Sequence, residues 1–178
     1  MPEDRRESFY HVRVSEAGPR YKGFDLLSTQ AMLNLIYTYD VFHQASTRYM
    51  AHYGLSKSSL NILLLLRHGP GEGMQLHDLG ELLLVSRANI TGLIDSLQHK
   101  GWVERVVDPS DRRVRYARIT SKAEALLDEF MPVHYRHVNS LLRDLSGEEK
   151  ETLAALLKKA RRSMTTNGAE DSFETARS

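Results

Sequence analysis

A helix-forming run that starts behind Ser86 and stops at Gly101 leads directly into WVERVV, the polar stretch DPSDRR and then VRYARI. The hydrophobic period changes there from helical to strand-like. β-Branched residues on both sides of a polar turn predict two short strands joined by a long hairpin loop. Ser86 is placed to cap the helix, Ile90, Leu93, Ile94 and Leu97 form its apolar stripe, and Gly101 closes it. Upstream, residues 75–84 carry Leu76, Leu79 and Leu83 on one face. Before them Ser56 caps SKSSLNILLLLRH, a helix dense enough in leucine to lie in a core until GPGEG breaks it at residues 69–73. A short helix, a tight turn, a capped helix and a hairpin is the order of a winged helix-turn-helix, whose second helix is sized for the major groove of DNA.

The flanks read as helix. No Gly or Pro interrupts residues 24–53, where Leu35, Ile36, Tyr39, Phe42, Tyr49, Met50 and Tyr53 recur at helical spacing and Leu33, Tyr37 and Val41 fall on another side. A helix apolar on more than one face needs more than one partner. Ser121 with Glu124 and Ser146 with Glu149 give S-x-x-E capping boxes for two further helices, the first interrupted by Pro132 and the second striped with Leu153, Leu156, Leu157 and Ala160. Polar residues 1–22 are expected to be a flexible N-terminal arm, and residues 165–178 a disordered tail. The fold class is therefore mainly α with a small two- to three-stranded β wing.

Composition narrows the function. Lys plus Arg total 24 against 23 for Asp plus Glu, a net charge of +1 over 178 residues, so the placement of charge decides what the chain attracts. From His99 to Arg118 six cations, Lys100, Arg105, Arg112, Arg113, Arg115 and Arg118, face three anions, Glu104, Asp108 and Asp111. The excess sits on the wing, as a nucleic-acid partner requires. Cysteine is absent, which removes disulfides, thiolate nucleophiles and Cys-ligated metals. No apolar run is long enough to cross a bilayer and none has signal-peptide character, so a cytoplasmic protein with no membrane partner is expected. Neither G-x-S-x-G, a P-loop, H-E-x-x-H nor a dinucleotide fingerprint is present, so no enzyme and no cofactor are expected.

The segment from Leu79 to Thr120, LGELLLVSRANITGLIDSLQHKGWVERVVDPSDRRVRYARIT, resembles the DNA-binding core of the multiple antibiotic resistance regulator (MarR) family, down to K-G-W-V-E-R and the D-P-x-D-R-R wing. A looser resemblance runs from about Phe24 to Met164. It implies a homodimer on double-stranded DNA, with residues 23–54 and 121–164 as dimerisation helices and residues 55–120 as the winged helix-turn-helix. Ser86, Arg87, Ala88, Asn89, Thr91 and Gly92 match the family's outward positions on the recognition helix. Asp111 and Arg113 match the wing's D-x-R, where the Arg enters the minor groove and the Asp positions it, and Arg112 and Arg115 are expected to hold phosphates.

The same resemblance implies a ligand-responsive regulator, most often a repressor, released from a pseudo-palindromic operator by a small aromatic effector. Tyr37, Phe42, His43, Phe130 and His134, with Tyr49 and Tyr135, are the candidates to line its cleft, core packing being the competing reading. Two alternatives stand beside it. One is a zinc-responsive regulator of the same fold, for which His134 and His137 at i, i+3 are the sole spacing signal; no metal site is assigned. The other is a winged helix that binds protein, which calls for an acidic or apolar wing. Two residues depart from the family pattern: Leu84 stands where Gly is common in the helix-turn-helix turn, and Ala123 replaces a frequent Gly just after the wing.

Overall fold

The computed structural model describes residues 5–107 and 115–166. Seven α-helices, numbered in chain order, and a small sheet make up these residues: α1 (Arg5–Ala17), α2 (Leu26–His52), α3 (Lys57–His68), β1 (Met74–Gln75), α4 (Leu76–Leu83), α5 (Arg87–His99), β2 (Val103–Val107), β3 (Arg115–Ile119), α6 (Ser121–Leu141) and α7 (Gly147–Thr166). The chain forms two compact units that divide within α6, after Leu127.

The helix α1 stands in the stretch that the sequence reads as a loose arm. Nothing in its composition breaks a helix before Gly18 and Pro19, where one turn of 3-10 helix follows. Gly18 is buried, and a Cβ on it would lie 2.2 Å from the Phe24 ring. The absent side chain lets Phe24 close the corner into α2. Tyr10 then meets Tyr37 edge-on at 6.0 Å, which holds α1 along α2. Asp25 caps α2, its carboxylate accepting from the Ser28 N–H at 2.7 Å.

The core of the first unit is built from α3, α4, α5 and the sheet, with Ile62, Leu63, Leu79 and Ile94 without exposure. Ser56 and Ser59 cap α3 reciprocally: the Ser59 N–H donates to Ser56 Oγ at 3.1 Å and the Ser56 N–H to Ser59 Oγ at 2.7 Å. Between α4 and α5 the chain turns on Leu84 at φ 54, ψ 44. It is the single non-glycine residue with positive φ among the described residues. The turn does take the left-handed conformation for which Gly is the usual residue.

The antiparallel sheet runs β1-β3-β2, with Val103 opposite Ile119, Arg105 opposite Ala117 and Val107 opposite Arg115. The two-residue strand β1 pairs Met74 with Ala117. It carries no periodicity of its own, so the pairing partner defines it. The resulting fold is a winged helix-turn-helix.

One expected cap moves by a residue. Thr120, not Ser121, starts α6: its Oγ accepts from the Ala123 N–H at 3.3 Å and donates to the Gly101 carbonyl at 2.8 Å. The Thr120 N–H also bonds the Trp102 carbonyl at 3.1 Å, extending the β2–β3 ladder by one residue and leaving Ser121 as the first helical residue. Ala123 is fully buried, so the family's frequent Gly is replaced at a site that accommodates a methyl group. The second predicted box is present as read: the Ser146 N–H donates to Glu149 Oε2 at 2.7 Å and the Glu149 N–H to Ser146 Oγ at 3.2 Å. Pro132 lies inside α6, and α7 runs to Thr166, so the rest of the expected tail lies outside the described residues.

Large apolar side chains remain open on the helices flanking the winged domain. Leu27, Ile36, Val41 and Phe42 on α2, and Leu153, Leu156 and Leu157 on α7, are all exposed in the single chain. This is the surplus face on α2 that its double periodicity implies.

Candidate nucleic-acid interface

The N-terminal half of α5 separates into two faces. Ile90, Ile94 and Leu97 are buried, whereas Arg87, Ala88, Asn89, Thr91 and Gly92 are exposed. The Ser86 hydroxyl oxygen accepts from the Asn89 N–H at 3.3 Å, which caps the helix and leaves the hydroxyl proton to donate elsewhere. Thr91 is placed differently. Its hydroxyl donates to the Arg87 carbonyl at 2.9 Å, so in this rotamer it has no proton for a phosphate oxygen. An added Cβ on Gly92 would meet nothing within 4 Å, and the helix surface there is flat enough for a close approach.

Electrostatics on the wing are more selective than the charge count implies. The Arg105 guanidinium pairs with Asp95 and donates to Gln98 Oε1 at 2.9 Å, both on α5. Arg118 Nε lies 2.7 Å from Glu104 Oε1 across the β2–β3 pair. Lys100 Nζ donates to the Gly54 carbonyl at 2.8 Å and sits 4.6 Å from the centre of the Trp102 ring. Half of the six cations in that stretch thus hold the domain together. Arg115 opens β3 and is exposed. The other wing candidates, Asp111, Arg112 and Arg113, lie outside the described residues.

A cavity of about 510 Å³ opens in the first unit among α2, the start of α3, the α4–α5 turn and α5. Met50, Leu55, Leu83, Val85 and Leu93 give it an apolar wall, and Tyr39, His43 and Lys57 line its polar side. The Tyr39 ring stacks on His43 at 5.7 Å and lies under Lys57 Nζ at 5.2 Å. Of the residues proposed from the sequence for a ligand cleft, His43 lines this cavity, Tyr37 packs on Tyr10, and Phe42 is exposed. Tyr49 is half-buried, and burial raises its pKa. Tyr39, Lys57 and Val85 carry no local signal of a site, since chain segments far apart in sequence bring them together.

In the second unit Phe130 is fully buried and stacks on His134 at 5.5 Å, and Tyr135 is exposed beside it. Burial lowers the His134 pKa, with the nearby His137 adding to the effect. Among the described residues no three His, Asp or Glu side chains are grouped to hold a metal ion, and no helix is long and apolar enough to cross a membrane.

Comparison with known proteins places this geometry. A MarR family model matches residues 53–114. The chain is 34% identical over 116 residues to YkoM, an uncharacterized HTH-type transcriptional regulator of Bacillus subtilis, covering 65% of this chain and 73% of that protein. It is 28% identical over 147 residues to the transcriptional repressor YetL of the same organism, covering 83% and 88%. Among solved structures, Sco3205, a MarR family transcriptional regulator from Streptomyces coelicolor crystallised in complex with DNA, superposes with a TM-score of 0.75 at 18% identity, covering 84% of this chain and 94% of its own.

Proposed function

The chain belongs to the MarR family of transcriptional regulators, and from that premise we propose that it binds a pseudo-palindromic DNA operator as a homodimer and represses transcription until a small effector releases it. The observation that carries this reading is the N-terminal half of α5, a capped helix with one face buried in the core and Arg87, Asn89, Thr91 and Gly92 all outward. A helix of this size fits the major groove, where Arg recognises guanine and Asn adenine through paired hydrogen bonds. Arg115 on β3 and Arg112 of the wing hold flanking phosphates, and Arg113, positioned by Asp111, enters the minor groove.

The exposed apolar faces of α2 and α7 support dimerisation through residues 23–54 and 121–164. Two-fold symmetry then sets the reading helices about 34 Å apart, one turn of DNA. The cavity on Tyr39 and His43 supports the effector half of the reading. Its wall includes Leu83 and Val85, on either side of the turn into α5, and Leu93 within α5, so a ligand seated there bears on the reading helix. Such a ligand shifts operator binding only by its differential affinity for the two states.

The test is selection of bound fragments from random-sequence DNA by the purified protein, followed by titration at several salt concentrations. The reading expects an inverted repeat, two protomers on one duplex, and log affinity falling against log salt with a slope of about −0.9 per neutralised phosphate. No enriched sequence and a flat salt response would overturn it and favour the protein-binding alternative.

A further inference from the structure

Leu84 has no explanation in the fold. It stands in the left-handed region at φ 54, ψ 44, a conformation that any Cβ disfavours and that glycine adopts freely. Packing does not offset that strain, because the side chain is 92% exposed. Val85 beside it turns partly inward, whereas Leu82 on the same turn is also exposed. Leu84 further borders a groove of about 400 Å³ between α4 and α5, shared with Leu76, Gly80, Arg87 and Ile90. Backbone strain of this kind collects at working sites.

Its position says what it works on. Leu84 lies two residues before the Ser86 cap and three before Arg87. Three residues of chain reach at most about 11 Å, roughly three base steps. A side chain this exposed and this near Arg87 in the chain is within reach of the groove that Arg87 would enter. The apolar group that the major groove offers on base edges is the thymine methyl, present on every A·T pair. We propose that Leu84 is a specificity-determining residue that packs on a thymine methyl beside the bases read by Arg87 and Asn89. The proposal rests on the DNA reading above and adds a contact that reading does not contain.

The experiment uses the full-length protein and DNA sites selected by it from a random pool. Each thymine of a half-site is replaced in turn by deoxyuracil, which removes the methyl and nothing else. In the wild-type protein one replacement per half-site weakens binding about fourfold, the transfer value of one methyl-sized group. In Leu84→Gly and Leu84→Asn, both of which tolerate positive φ, the same replacement has no effect, and Leu84→Gly melts at a higher temperature than wild type. The proposal is overturned if Leu84→Gly binds the selected sites as tightly as wild type, or if every deoxyuracil replacement weakens wild type and variant equally. Arg87→Ala separates the two levels. Loss of binding in Arg87→Ala with none in Leu84→Gly removes Leu84 alone, whereas a wild-type protein that enriches no sequence removes both readings.

Discussion

Arg105 on β2 and Asp95 on α5 form an ion pair, and the same guanidinium donates to Gln98 one helical turn further along α5. One planar group with several donors in fixed directions thus ties the first wing strand to the helix proposed to read DNA. Asp95 is 56% exposed, but the Arg105 side chain is only 21% exposed against 46% for Arg118, so water screens the Arg105 guanidinium less.

Arg105→Met should destabilise the fold by about 1 kcal/mol, since it removes two charge-assisted bonds at a part-buried position. Arg118→Gln should cost about 0.5 kcal/mol or less. Urea denaturation of both variants checks the contrast, and a double-mutant cycle with Asp95→Asn isolates the pair. Equal losses at the two arginines would contradict the argument from burial.

Thr120→Ala should cost about 1 to 2 kcal/mol, because Thr120 Oγ both caps α6 and bonds the Gly101 carbonyl. Ser121→Ala should be close to neutral. Thermal melts of the two single variants decide which residue is the cap, and a larger loss at Ser121 would return the cap to the position the sequence favours.

Gly18→Ala should destabilise the α1–α2 corner by about 1 to 3 kcal/mol, since the new methyl would lie on the Phe24 ring. Adding Phe24→Leu should recover part of that loss. Hydrogen exchange on α1 gives the readout, and unchanged protection in Gly18→Ala would show that the corner does not hold the helix.

Acid should loosen two helix starts. Hydrogen bonds from Ser28 hold the Asp25 carboxyl below its ordinary value of 3.8, and those from Ser146 hold Glu149 below 4.5. A carboxyl whose folded pKa is depressed stabilises the fold fully above its unfolded value and loses that contribution as pH falls through the folded one. Melting temperature should therefore drop as pH falls below about 5, and the drop should be shallower in Asp25→Asn with Glu149→Gln. An identical pH profile in that double variant would refute the assignment.

Much of the fold was legible from residues 56–120 because the signals there are local. Caps at Ser56 and Ser86, the Leu79 and Ile90 stripes, the closing Gly101 and the change of period at Trp102 each involve residues within a turn or two of one another. Leu84 was also readable, through the family resemblance, as a residue in a position where glycine is common. The outward row on α5 was named through the family resemblance and agrees with the buried stripe of Ile90, Ile94 and Leu97, because one face of a helix defines the other.

What the sequence by itself determined is the order of elements from α2 onward apart from β1, the caps at Ser86 and Ser146, and the apolar stripe that α5 turns to the core, all of which depend on contacts between near neighbours. Tertiary structure alone decided the rest. It recruited residues 74 and 75 as a third strand opposite Ala117 and moved the α6 cap to Thr120 through the Gly101 carbonyl. It laid α1 against α2 across Gly18, engaged Arg105 and Arg118 with carboxylates, and gathered Tyr39, Lys57, Val85 and Leu93 around one cavity. Each of these turns on a partner that only the folded chain brings within a few ångströms, and no periodicity records such a partner in advance.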